Sequence, residues 1–299
     1  MKRLLLLALF CFATARAFAA TTPSYEGLWW NEPANSQSGW GINISHQGNT
    51  LFATWFTYDE DGQPLWMVMP NLQQTPVTQN IDYGSYPYNM FGGGIPPDAI
   101  FTGPIYRTNG PYFASTPFDP TRVGTISVGT ATFSFYGTSN ASFAVLLTNL
   151  TTLSFSLTKE IFGTLPDCEV GATPGGTPNF TDLWWRSTES GWGVNISQQG
   201  NVLFATWFTY DASGRDVWFV MPGSTQTGAM SWSGTLYRTT GTPFDAEWNP
   251  SKLTVTNVGS ASFNFTDANN GTFNATVNGV STSKPIGRET FGFPQTVCK

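Results

Sequence analysis

One histidine, His46, two cysteines beyond the first twenty residues, Cys168 and Cys298, and nineteen carboxylates are what this chain offers for chemistry. A single histidine allows at most one Ser-His-Asp constellation, and no nucleophile elbow accompanies it. One histidine and two cysteines are too few for the usual zinc site. The run Asp59-Glu60-Asp61-Gly62 lacks the alternate-residue spacing of a calcium loop and becomes Asp211-Ala212-Ser213-Gly214 further on. It reads better as a hairpin turn with Gly62 and Gly214 at positive φ. No metal or cofactor is expected. For general acid-base work the strongest candidates are Glu189 and His46.

Those two residues lie in a passage written twice. Ser38 to Pro70 and Ser190 to Pro222 align without a gap, 152 positions apart, with about three quarters of their residues identical. The first copy has Gln37 where the second has Glu189, and the second has Gln198 where the first has His46. Neither copy therefore holds both groups, and His46 reads as a hairpin residue ahead of Gln47-Gly48. An enzyme acting on carbohydrate through Glu189 and Asp211 is the third of three readings.

Tryptophan is the residue type that both copies keep. Ten of the twelve fall in pairs: Trp29/Trp184, Trp30/Trp185, Trp40/Trp192, Trp55/Trp207 and Trp66/Trp218. Indole can stack on a sugar ring or line an apolar pocket while its N–H orients a polar group. Paired polar residues, Asn43/Asn195, Tyr58/Tyr210 and Arg107/Arg238, are candidates for a barrel mouth beside Trp40, Trp55, Trp66, Trp192, Trp207 and Trp218. The competing role for most of these indoles is core or interface packing.

The repetition extends over the whole chain. Phe101–Phe113 answers Trp232–Phe244, the alternating run from Val128 answers that from Val258, and Lys159-Glu160 answers Arg288-Glu289. The period within each copy is two: Leu153, Phe155 and Leu157 alternate with Ser and Thr, as do Phe273, Ala275 and Val277. Eight strands are expected in the first copy, near 27–30, 39–46, 50–58, 64–69, 101–107, 125–136, 141–148 and 153–162. Eight strands on hairpin-sized connections point to an all-β chain of two tandem antiparallel up-and-down barrels. The boundaries read as residues 21–164 for the first barrel, 165–178 for a Pro/Gly-rich linker and 179–299 for the second. A long connection, 71–100, distinguishes the first copy. The strands Leu51–Tyr58 and Pro64–Pro70 are apolar on both faces and must be covered on both, which predicts that the barrels pack on each other about a pseudo-twofold axis. A homo-oligomer interface or an exposed binding face is the rival use of those strands.

Residues 1–20 have the layout of a secretory signal peptide: Lys2 and Arg3, an apolar run, then Ala17-Phe18-Ala19. Cys11 follows Phe10 rather than a small residue, which argues against lipoprotein processing. Removing the leader leaves ten bases against nineteen acids, a formal charge of about −9. A nucleic-acid partner is excluded on that charge. Export to the periplasm or the exterior would let Cys168 and Cys298 form a disulfide tying the ends of the second copy together. Most strands are shorter than a membrane-spanning strand of about 9–11 residues, so stable membrane insertion is not expected.

Two resemblances follow from quoted residues. Gly27-Leu28-Trp29 with Lys159 on the last strand resembles the calycin signature of lipocalins and avidins. That resemblance implies a closed barrel with a tryptophan plug under a basic side chain. Trp184 and Arg288 match it in the second copy, where Asp182 replaces the glycine. The run ESGWG…QG…FATWFTYD…G…W, from Glu189 to Trp218, is similar to a repeat of secreted proteobacterial proteins and implies location and repetition, but no activity. The reading that best joins these observations is a secreted, non-enzymatic protein whose aromatic-lined barrels bind a small apolar or sugar-like ligand. The runner-up is a surface-interaction protein holding a glycan, envelope component or protein partner through exposed aromatic strands.

Overall fold

In a computed structural model, residues 22–77 and 96–299 are described, so the leader and most of the long connection of the first copy lie outside the described residues. A short strand β1 (Thr22–Pro23) precedes the first barrel. That barrel is built from β2 (Gly27–Asn31), β3 (Gly41–Gln47), β4 (Thr50–Tyr58), β5 (Pro64–Thr75), β6 (Ala99–Asn109), β7 (Gly124–Tyr136), β8 (Asn140–Leu147) and β9 (Thr152–Lys159). Each strand pairs antiparallel with the next, and β2 pairs with β9 to close the barrel. All eight expected strands are present, with ends displaced by a few residues.

The linker contributes a strand that alternation did not reveal, β10 (Cys168–Val170). The second barrel follows: β11 (Asp182–Trp185), β12 (Gly193–Gln199), β13 (Val202–Tyr210), β14 (Asp216–Met221), β15 (Thr225–Gly228), β16 (Ser231–Thr240), β17 (Thr254–Phe265), β18 (Asn270–Val277) and β19 (Val280–Arg288). β11 pairs with β19, and β14 meets β16 at Val220 and Tyr237 to complete the ring. β15, in the short connection that replaces the long one, is an added hairpin strand on β16. The chain ends in β20 (Thr296–Cys298), which joins β1 and β10 in a three-stranded ribbon. There Cys168 and Cys298 are direct cross-strand neighbours and form a disulfide. Among the described residues no helix is long and apolar enough to cross a membrane.

Period-two alternation fills each interior. In the first barrel Trp55, Phe101, Phe133, Phe135 and Phe143 are at most 1% exposed, and Phe133 stacks on Phe143 at 4.6 Å between ring centroids. In the second, Trp207, Phe263 and Phe273 form the matching cluster. Burial of one such side chain stabilises by roughly 1.5–3 kcal/mol. One end of each barrel closes on the paired tryptophan of the first strand. Trp29 Nε1 donates to Tyr25 O at 3.0 Å under Lys159, whose Nζ lies 5.4 Å from the ring centroid. Trp184 Nε1 donates to Phe180 O at 2.9 Å, with Arg288 4.9 Å over its ring.

The other end of each barrel is closed by the opposite copy. The connection after β6 crosses to the second barrel, where Phe113 N donates to Tyr210 O at 3.1 Å and the Phe113 ring packs 5.1 Å from Trp207. The equivalent connection after β16 crosses back: Phe244 N donates to Tyr58 O at 3.1 Å, and its ring lies 5.6 Å from Trp55. The crossing demands glycine. A Cβ on Gly110 would fall 2.4 Å from the Tyr210 ring, and one on Gly241 would fall 2.1 Å from the Tyr58 ring. A third exchange involves the segments after the last strands. Gln47 accepts from Phe291 N and Gly292 N, while Gln199 accepts from Phe162 N and Gly163 N, all at 2.9–3.0 Å. The doubly apolar strands are thus covered by the partner barrel about a pseudo-twofold axis.

Candidate functional site

Because β4, β5, β13 and β14 meet across the seam, the residues on their outer faces are shared between barrels. Trp66 Nε1 donates to Thr209 O and Trp218 Nε1 to Thr57 O, both at 3.0 Å. Two grooves, related by the same pseudo-twofold axis, run beside these indoles. The first, about 510 Å³, is lined by Trp30, Trp40 and Trp218 with Glu160 at its edge. The second, about 480 Å³, is lined by Trp185, Trp192 and Trp66 with Glu289 in the corresponding place. These volumes lie within the usual range for small-molecule sites, about 300–1,000 Å³.

The electrostatics of the grooves are also paired. Burial pushes the Glu160 carboxyl up to about 7. Burial, then the nearby charge of Asp182, push Glu289 up to about 7 as well. Glu289 Oε2 and Trp30 Nε1 are buried with no hydrogen-bond partner among the described residues. Each groove therefore offers a half-buried indole, Trp30 with Trp40 in the first and Trp185 in the second, together with a carboxyl that both donates and accepts near neutral pH.

The residues singled out from sequence divide into three places. Trp40, Trp66, Trp192 and Trp218 line the grooves. Trp55 and Trp207 are inside the barrels, packed on Phe244 and Phe113, with indole nitrogens that have no partner among the described residues. Asn43 and Asn195 are buried at 3% exposure, on strands at the seam. Tyr58 donates to Gly39 O and accepts from Thr239 Oγ1 of the other copy, and burial raises it to about 12. Arg107 approaches Asp216 at 4.0 Å, and Arg238 donates to Gln63 at 3.0 Å, so both arginines bridge the copies. The expected barrel mouths are thus occupied by exchanged loops, and the paired polar residues hold those loops and the seam.

Trp30 and Trp185 stood among the paired tryptophans but outside the candidate mouth, and Glu160 and Glu289 were not singled out. The available signals were the parity of Trp30, one residue after the inward Trp29, and the repeated carboxylate in Lys159-Glu160 and Arg288-Glu289.

The divergent pairs that carried the enzyme reading have structural partners. His46 Nδ1 accepts from Tyr25 N at 3.4 Å, so Nε2 carries the proton that it donates to Gly48 O at 3.0 Å. Gln198 makes the same two contacts through its amide, with Phe180 N and Gly200 O. Burial pushes His46 down to about 4. Glu189 accepts from Lys284, Arg186 and Trp192 at 2.7, 2.9 and 3.1 Å, and Lys284 itself is 8% exposed. Asp211 accepts from Ser213 N and Arg215 N, and Asp59 from Asp61 N and Gln63 N, which pins both hairpins. Gly62 and Gly214 have φ of 73° and 83° as the turn requires. Among the described residues no group of three or more His, Cys, Asp or Glu side chains is placed to hold a metal ion.

No protein-family profile, curated protein or solved structure matches this chain.

Proposed function

We propose that this is a secreted, non-enzymatic binding protein that takes a ring-bearing ligand, apolar or sugar-like, in the two grooves of the seam. The observation that carries this reading is the preservation, in both copies, of three indoles and one raised carboxyl around a solvent-open groove. Core packing alone accounts for Trp29, Trp55 and their counterparts, but it does not require a half-buried indole beside an unpartnered carboxyl oxygen. Indole faces supply stacking for either ligand type, and the carboxyl gives a hydroxyl-bearing ring a directional partner.

Tryptophan fluorescence titration of residues 20–299 with soluble oligosaccharides and with neutral ring alcohols tests the reading. Two ligands per chain are expected, with Trp30→Ala and Trp185→Ala each removing one. Saturable binding that survives both substitutions, or binding of a macromolecular glycan only, would transfer the case to the surface-interaction reading.

A further inference from the structure

The duplication provides an internal control for each buried polar group, and at Gly27/Asp182 one copy lacks a carboxylate that the other holds. In the second copy the Asp182 carboxyl accepts from Arg288 Nη1 at 3.0 Å and from Leu183 N at 2.7 Å; burial raises it above the usual carboxylate range, and Arg288, with a hydrogen bond from Ser45 of the first copy, opposes that shift. The register fixes the counterparts. Asp182 pairs with Ile196 as Gly27 pairs with Ile44, and Arg288 pairs with Trp184 as Lys159 pairs with Trp29. Ser45 and Ser197 follow those isoleucines.

The first copy thus keeps both donors and lacks the carboxylate. A Cβ on Gly27 would meet nothing within 4 Å. Ser197 is 3% exposed and its Oγ has no hydrogen-bond partner among the described residues. Lys159 is in no ion pair among the described residues and touches the Trp29 face instead. Gly27, Lys159 and Ser197 line one hollow of about 120 Å³, together with Glu26.

We propose that this hollow is a binding site for a small monocarboxylate, whose two oxygens take the place that the Asp182 side chain holds in the second copy. Lys159 and Ser197 supply the charge-assisted donors. Water in the liquid occupies about 30 Å³ per molecule, so the hollow has room for a group of a few heavy atoms. Burial, then the charge of Asp182, hold Glu26 well above the usual carboxylate range, which lessens its repulsion of an anion in the hollow, and its Oε2 accepts from His46 N at 2.8 Å. Glu160 and the exposed Asp167 also line the hollow, which disfavours a doubly charged anion such as phosphate. The assignment is independent of whether the grooves bind anything.

The test is a titration of the ¹⁵N-labelled chain, residues 20–299, with sodium acetate at ionic strength held constant by sodium chloride. Saturable shifts centred on Gly27, Lys159 and Ser197 are expected, weakened about tenfold in Ser197→Ala and lost in Lys159→Met, with phosphate causing none. Ser197→Ala deletes only an unpartnered hydroxyl and leaves the fold intact, so it decides the matter even if Lys159→Met unfolds. Absence of saturation, equal acetate affinity in Ser197→Ala, or tighter binding of phosphate than acetate would each overturn the assignment.

Discussion

Trp66 of the first barrel donates its indole hydrogen to the backbone carbonyl of Thr209 in the second, 3.0 Å away, and the reciprocal bond runs from Trp218 to Thr57. Duplication here makes one interlocked body rather than two barrels on a string. Each copy supplies the other with a plug, a seam indole and a glutamine-anchored tail. Trp66→Phe should cost about 1–3 kcal/mol, because a buried carbonyl loses its donor. Urea unfolding should remain a single transition, since neither mouth is closed without the opposite loop. Two separated transitions would show that the barrels are independent.

Phe113→Ala and Phe244→Ala should destabilise by similar amounts, about 3–5 kcal/mol, since each ring fills the other copy's mouth against Trp207 or Trp55. Equilibrium denaturation of the two variants checks the equivalence, and a large difference would contradict the exchange symmetry.

Glu189→Gln should cost about 3–5 kcal/mol by leaving Lys284 buried without its partner. The first copy has Gln37 and Phe155 at the two corresponding positions. Restoring that combination, Glu189→Gln with Lys284→Phe, should recover most of the loss in a double-mutant cycle.

Raised carboxyls make stability depend on pH. Glu160 and Glu289 have folded pKa values of about 7, above the ordinary glutamate value, so the folded state holds extra protons between about 4.5 and 7. Their contribution is full below that window and is lost as pH rises through 7. Stability should therefore increase by about 1–2 kcal/mol from pH 8 to pH 6, allowing for partial solvent screening, and Glu160→Gln/Glu289→Gln should flatten the change. His46 acts oppositely and lower down: its pKa of about 4 gives stability present above 6.5 that is lost as pH falls toward 4. His46→Gln, which copies Gln198, should keep the fold and remove that acid-side loss. Thermal melts across the range read both signs.

The strands were legible because alternation in runs such as Leu153–Leu157 is local information, and the seam was legible because β4 and β5 are apolar on both faces. The exchange of loops was not. Phe113 and Phe244 sit in turn-like sequence after a glycine, and nothing within ten residues says which barrel they enter; only the ring against which Gly110 or Gly241 packs decides it. The same non-local fact decides where the paired tryptophans lie. Trp55 and Trp66 are equally aromatic in sequence, but parity sends Trp55 into a mouth that a foreign phenylalanine already fills. Trp66 goes to a groove that only two adjacent barrels can create.

The most direct measurement of the central claim is the mass of the exported chain, residues 20–299, purified from its native compartment and sprayed under native and then denaturing conditions. The seam-groove account predicts extra mass lost on denaturation, retained in Trp55→Phe/Trp207→Phe and absent from Trp30→Ala/Trp185→Ala. Extra mass that persists in the Trp30→Ala/Trp185→Ala protein and disappears with Trp55→Phe/Trp207→Phe would place the ligand inside the barrels and contradict it.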